Sequence, residues 1–188
     1  MDTYHVVLYL HLMSLFVLVG GITLVGVCYA RLRAAASLIE ATPWATLADQ
    51  AGWIFPPAIL GLLATGAYLT NDMWTWGTPW IAVSVAGLVL VTLQGPLVAG
   101  TRAKALTHAL EENPAGPLDL RARQLARDRT LWIVIFANPG VVLGITWNMS
   151  VKPGTVEAIA AVLVGYAIGA AAALPLTKQP SAGDPKQA

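Results

Sequence analysis

The chain has 188 residues, of which 56% are hydrophobic and 11% charged, and its formal net charge is +1. A soluble domain of this length carries far more charge, so the composition excludes an ordinary water-soluble fold and indicates a membrane protein. The near-neutral charge gives no reason to expect a nucleic-acid partner. The single cysteine, Cys28, excludes an internal disulfide and a cysteine-based metal cluster.

Apolar stretches follow one another along most of the chain, and each is long enough to cross a hydrocarbon core of ~30 Å. They cover Tyr4–Ala30, Ala51–Thr70, Pro79–Gly100, Leu131–Met149 and Ala158–Leu176. The first lacks a basic n-region and is too long for a signal peptide, so we expect it to remain attached. The sequence therefore predicts an all-α polytopic bundle with five transmembrane helices, one domain over residues 1–177, in contact with the lipid bilayer.

The basic residues are distributed unevenly between the two sides of these spans. Of the 11 Lys and Arg residues, Lys152 stands apart on one side, and the others share the opposite side: Arg31, Arg33, Arg102, Lys104, Arg121, Arg123, Arg127, Arg129, Lys178 and Lys186. Cytoplasmic loops carry the excess of basic residues. We therefore predict an N-terminus outside and a C-terminus in the cytoplasm, with the chain in the cell (inner or cytoplasmic) membrane.

The cytoplasmic connections contain their own helix signals. Thr42 followed by Pro43 predicts the N-cap and first position of a short interfacial helix before the second span. Residues 101–130 predict a helical hairpin, in which Asp119 caps a helix that continues into the fourth span. Leucines of the hairpin either pack its two arms together or meet a partner: Leu106, Leu110, Leu118, Leu120 and Leu125. Residues 178–188 predict a flexible cytoplasmic tail.

Small residues repeat at a spacing that allows two helix backbones to approach closely. Gly140 and Gly144 lie four residues apart in the fourth span, as do Gly165 and Gly169 in the fifth. These helix-packing positions indicate either a tight bundle within the chain or a lateral face for other membrane subunits or a second copy.

The tryptophans of the outer loop allow two interpretations. They are Trp74, Trp76 and Trp80, and indoles prefer the membrane interface. They therefore form either an interfacial aromatic belt or a stacking platform for a ligand.

Polar groups at membrane depth are costly and tend to mark function. The middle of each predicted span is free of Asp, Glu, Lys and Arg, which argues against a proton relay or an ion-coupled carrier. His11 is the strongest candidate that remains, because a neutral imidazole ligates haem iron and many metal ions without a buried charge. Tyr4 and Ser14 share its helix face. The alternative is a hydrogen-bonded packing histidine.

Trp147 and Asn148, at the outer end of the fourth span, could lie at the depth of His11, together with Thr65 and Ser84. This outer-half group is the predicted cofactor site, with haem b or a metal ion on His11. The sequence Asn138-Pro139-Gly140 further predicts a break near the middle of the fourth span.

The segment Tyr9–Gly21, followed by Arg31-Leu-Arg33, resembles the first helix of small bacterial predicted integral membrane proteins of unknown function. More distantly, it resembles the copper-resistance D and HemJ-type protoporphyrinogen oxidase group. The resemblance implies a haem or porphyrin role for the first-helix histidine, here His11. Val19 stands where those families have a tryptophan.

Three functions are compatible with these features. The first is a non-catalytic subunit or accessory protein of a larger membrane complex, such as a respiratory or redox complex. The second is a haem- or tetrapyrrole-binding membrane redox protein that uses His11. The third is a carrier for a neutral or metal solute.

Overall fold

The computed structural model describes residues 2–111 and 120–177, which form helices and no strand. The helices are α1 Thr3–Ala34, α2 Leu38–Gly52, α3 Phe55–Met73, α4 Pro79–Gln94, a π-helical segment Gly95–Gly100, α5 Thr101–Glu111, α6 Leu120–Ala126, α7 Arg129–Val151 and α8 Thr155–Thr177. In this part of the chain, five helices are long and apolar enough to cross a membrane. The predicted all-α class and the five spans are confirmed, and these spans indicate a multi-pass membrane protein.

Helix α7 is the centre of the bundle. Half of its most apolar window is buried, against about a quarter or less for the other four spans. Its core residues include Val141 and Ile145, which pack with Leu18 of α1, Leu62 of α3 and Val162 of α8. The other spans therefore leave most of their apolar side chains on the outer surface, as expected for a chain whose solvent is lipid.

The helices α7 and α8 run antiparallel in close contact through glycines. A Cβ added to Gly165 would overlap the carbonyl oxygen of Gly140, and one added to Gly169 would overlap that of Phe136. Gly144 faces the backbone of Ala161 in the same way. The small-residue positions of spans four and five thus face each other within the chain, which leaves them unavailable as a docking surface for another subunit.

A second cluster lies at the end of the bundle that carries the basic residues. Tyr29 and Leu32 of α1 pack there with Ala41 of α2, Leu106 of α5 and Trp132 of α7. Among the hairpin leucines, Leu106 is buried in this cluster and Leu125 packs against it. The side chains of Leu110 and Leu120, residues 112–119 with Leu118 and Asp119, and the tail 178–188 lie outside the described residues.

The predicted start of the second helix at Thr42 is wrong. The hairpin helix that was predicted to continue into the fourth span is interrupted at 127–128, and its predicted cap, Asp119, lies outside the described residues. Ser37 caps α2 by accepting a hydrogen bond from the Glu40 backbone N–H, whereas Thr42 lies inside the helix and donates its hydroxyl to the Leu38 carbonyl. The helix α6 ends at Ala126 before the fourth span begins, and Asp128 caps α7 by accepting from the Leu131 N–H at 2.8 Å. Side-chain oxygens of Ser and Asp at these positions satisfy backbone donors that the first turn leaves free.

The predicted break in the fourth span is also absent. Helix α7 continues from Arg129 to Val151 with Pro139 inside it. Pro139 has no backbone N–H to donate within α7. The next residue, Gly140, lets α8 pack closely against this turn, and such contacts between helices support a turn that lacks a hydrogen bond.

Candidate ligand site at His11

His11 lies in α1 where this helix crosses α3. Its side chain is buried, and its ring rests against Gly66, because a Cβ added there would lie 3.3 Å from Cε1 of the imidazole. The Nδ1 atom is 2.9 Å from the hydroxyl oxygen of Thr65. Two residues of α3 therefore fix the position and the rotation of the imidazole ring.

The hydrogen bonds of Thr65 determine which ring nitrogen of His11 carries the proton. The Thr65 hydroxyl has one hydrogen, which it donates to the Gly61 carbonyl at 2.5 Å. Its oxygen must then accept a hydrogen bond from Nδ1–H of His11. The other ring nitrogen, Nε2, then carries the lone pair. This is the tautomer that a metal-ligating histidine uses.

Ser14 lies one turn along the same face of α1 and extends the contact with α3. Its hydroxyl donates to the Leu10 carbonyl at 2.9 Å, and its oxygen lies over Gly61, where an added Cβ would overlap it. Ser14 therefore closes the α1–α3 interface beside His11, and its hydrogen is directed to its own helix.

Tyr4 lies two turns from His11 and is half-buried. Its ring packs edge-on against the ring of His5, with centroids 5.6 Å apart. The ring of Tyr4 is therefore in contact with His5, in the first turn of α1.

The two candidates in α7 face other directions. Trp147 is 42% exposed, so its indole lies on the outer surface of the bundle. Asn148 is fully buried and donates its side-chain amide to the Ala158 carbonyl of α8 at 3.2 Å. Its Oδ1 atom has no partner among the described residues, and neither has the buried hydroxyl of Ser84. Of the proposed outer-half group, Thr65 is thus the residue whose hydrogen bond reaches His11.

The outer-loop tryptophans are engaged with neighbouring residues of the chain. Trp74 packs edge-on against Trp80, and the Lys152 ammonium lies 4.8 Å from the centre of the Trp74 ring. Trp76 donates its indole N–H to Asn71 at 2.8 Å. These contacts favour the interfacial belt over the stacking platform.

The described residues contain no group of three or more His, Cys, Asp or Glu side chains that could hold a metal ion. His11 can contribute one nitrogen ligand, and among the described residues it belongs to no such group.

Gly61 and Gly66 lie in the second predicted span, and the sequence alone does not identify the residues that face them. The structure shows that Gly61 receives Ser14 and Gly66 receives His11. The three-residue spacing of His11 and Ser14 puts both on one face of α1, which is the signal in the sequence that they contact the same neighbouring helix.

Comparison of the chain with protein-family models, with curated proteins and with solved structures gives no match. The functional argument therefore rests on the site itself.

Proposed function

We propose that the protein is a non-catalytic subunit of a larger membrane redox complex and that it binds haem b through His11. In this proposal the five spans lie in the cytoplasmic membrane of a bacterium, with the N-terminus outside and the C-terminus in the cytoplasm. Nε2 of His11 would bind the haem iron, and any further iron ligand would come from another subunit.

One observation supports this proposal more than any other: the hydrogen bond between His11 and Thr65. This bond is consistent with a proton on Nδ1 and a lone pair on Nε2. Ligating histidines typically donate their second N–H to a protein acceptor, which fixes the ring and raises its basicity as a ligand. Haem ligation needs this arrangement and no buried charge.

The absorption spectrum of the purified protein tests the proposal. We expect a Soret band, with sharpened α and β bands after reduction, when the protein is produced with ample haem. His11→Ala should abolish the Soret band or shift it, because the iron loses its axial nitrogen. His5→Ala is the matched control, since the His5 side chain is 69% exposed and lies on the same helix. Wild-type protein without pigment under these conditions would contradict the proposal.

A second candidate is an accessory subunit that carries no cofactor. It is favoured by the contacts of the His11 ring with Gly66 and Thr65, which also suit a packing residue between two helices. In that case His11→Ala would reduce stability by about 0.6–2 kcal/mol through the lost hydrogen bond. Co-purification and native mass spectrometry would then show the wild-type protein in its complex without haem.

A further inference from the structure

A groove runs along the outside of the bundle between α1 and α7 and reaches the end of α8. Its volume is ≈ 380 Å³. Apolar side chains line most of it: Ile22, Val27, Ile135, Phe136, Pro139 and Leu176. We call it the α1–α7 groove. It is separate from the His11 site, which lies between α1 and α3.

One end of the α1–α7 groove carries a positive charge in a fixed position. The guanidinium carbon of Arg33 lies 5.5 Å from the centre of the Trp132 ring. Trp132 is 1% exposed, and its indole N–H is bound to the Ala126 carbonyl at 2.9 Å. The rigid indole thus holds the guanidinium in the groove by stacking and cation–π attraction.

This guanidinium has no anionic partner in the part of the chain that the structure describes. The salt bridges found there join other residues, and the Nη1 atom of Arg33 is buried without a hydrogen-bond acceptor. Arg127 lies close enough for its charge to repel that of Arg33. A buried donor without an acceptor is costly, and two adjacent cations attract an anion. The positive charges of Arg33 and Arg127 at this end of the α1–α7 groove therefore suit a negatively charged phosphate group.

The length of the groove matches one leaflet of a bilayer. Ile22 and Arg33 are eleven positions apart in α1, which corresponds to ~16 Å along the helix axis. Half of a hydrocarbon core of ~30 Å is ~15 Å. A molecule with its anionic group at Arg33 would therefore have an apolar chain that reaches the middle of the membrane at Ile22.

We propose that the α1–α7 groove is a binding site for an anionic phospholipid. Arg33, which is only partly buried, binds the phosphate through the accessible part of its guanidinium group, and one acyl chain lies along the apolar wall formed by Ile22, Val27, Ile135 and Phe136. Basic pockets between membrane helices recognise lipid headgroups in this way. The proposal depends on neither haem binding nor the orientation of the chain, because Arg33 lies at one face of the membrane in either orientation.

Native mass spectrometry of the detergent-solubilised protein tests this site. The probes are dioleoyl phosphatidylglycerol and dioleoyl phosphatidylcholine, which share their acyl chains and differ in net charge, together with inorganic phosphate. We expect a retained phosphatidylglycerol adduct that is preferred over phosphatidylcholine by about fivefold, and no phosphate adduct. Equal retention of the two lipids, or binding of phosphate alone, would overturn the proposal.

Variants distinguish the contribution of the Arg33 charge to lipid binding from that of the apolar wall of the groove. Arg33→Gln should abolish the preference for phosphatidylglycerol. Arg31→Gln is the matched control and should keep it, because Arg31 is exposed and lies over Trp44, away from the groove. Ala30→Phe should remove the adducts of both lipids, since Ala30 lines the groove and its side chain is exposed. An unchanged preference in Arg33→Gln, or unchanged adducts in a folded Ala30→Phe variant, would show that the lipid binds elsewhere.

Discussion

At the scale of single residues, the contact between His11 and Thr65 determines what His11 can bind. Thr65 donates its hydrogen to Gly61 and accepts from Nδ1 of His11, so the direction of the hydrogen bond follows from the local backbone of α3. A membrane helix often satisfies a threonine hydroxyl through the carbonyl four residues earlier. In α3 the oxygen of the Thr65 hydroxyl thus remains able to accept a hydrogen bond from His11 on the neighbouring helix.

Replacing Thr65 by valine tests this coupling. Valine keeps the branched shape but removes the acceptor, so we expect haem affinity to fall by about 10–100-fold if His11 ligates iron. Thr70→Val is the matched control, because Thr70 lies on the same helix, is buried and donates to the Gly66 carbonyl. Haem titration followed in the Soret region measures the effect. Equal haem affinity of the two variants would show that Thr65 has no influence on the ligand.

Single residues also show what the sequence could and could not predict. His11 stood out because polar groups at membrane depth are rare. Asn148 was expected near it, but its amide faces α8, because the rotation of α7 is set by its glycine contacts with that helix. The stacking of Arg33 on Trp132 was not foreseen, since it joins two spans that are distant in sequence.

At the scale of helices, the glycines of α7 and α8 are the positions most sensitive to added volume. Gly165→Ala should destabilise the bundle by about 1–3 kcal/mol, because its Cβ would overlap the Gly140 carbonyl and the backbones would have to separate. Gly20→Ala is the matched control: no atom lies within 4 Å of its added Cβ, and we expect stability to stay equal or to rise by up to ~1 kcal/mol. Unfolding in detergent, followed by circular dichroism, compares the two. Equal stability of Gly165→Ala and wild type would contradict the observed crossing of α7 and α8.

The start of α7 depends on Asp128. Its carboxylate accepts from the Leu131 N–H and from Arg102, both at 2.8 Å. Asp128→Ala should lower stability by about 0.5–2 kcal/mol, as the loss of an N-cap usually does. Asp128→Asn keeps a capping oxygen and removes the charge, and since the pair with Arg102 is partly exposed we expect a loss of at most ~1 kcal/mol. The same unfolding measurement ranks the variants, and a loss for Asn as large as the loss for Ala would show that the ion pair outweighs the cap.

Helix ends were predicted less well than helices. The apolar stretches identify the five spans because length and hydropathy are fixed by the thickness of the membrane. The start predicted at Thr42 was misplaced because several capping residues compete within a few positions. The structure selects Ser37 and Asp128, whose side chains can reach free backbone N–H groups.

At the scale of the whole molecule, the basic residues lie at the same end of the bundle as the second hydrophobic cluster. Arg33, Arg127 and the Arg102–Asp128 pair surround the cluster built on Leu106 and Trp132. Composition predicted that this end carries charge. It could not predict that α2, α5 and α6 would fold against α1 there, because those contacts depend on helices meeting in three dimensions.

The orientation of the bundle is the last prediction, and the single native cysteine makes it accessible to labelling. Cys28 is fully buried, so it gives little background with a membrane-impermeant maleimide. In spheroplasts, Gly77→Cys in the exposed connection between α3 and α4 should be labelled before lysis. Lys104→Cys, on the exposed face of α5, should be labelled only after lysis, because loops rich in Lys and Arg stay in the cytoplasm. Labelling of Lys104→Cys in intact spheroplasts, with protection of Gly77→Cys, would place the basic end outside and reverse the proposed topology.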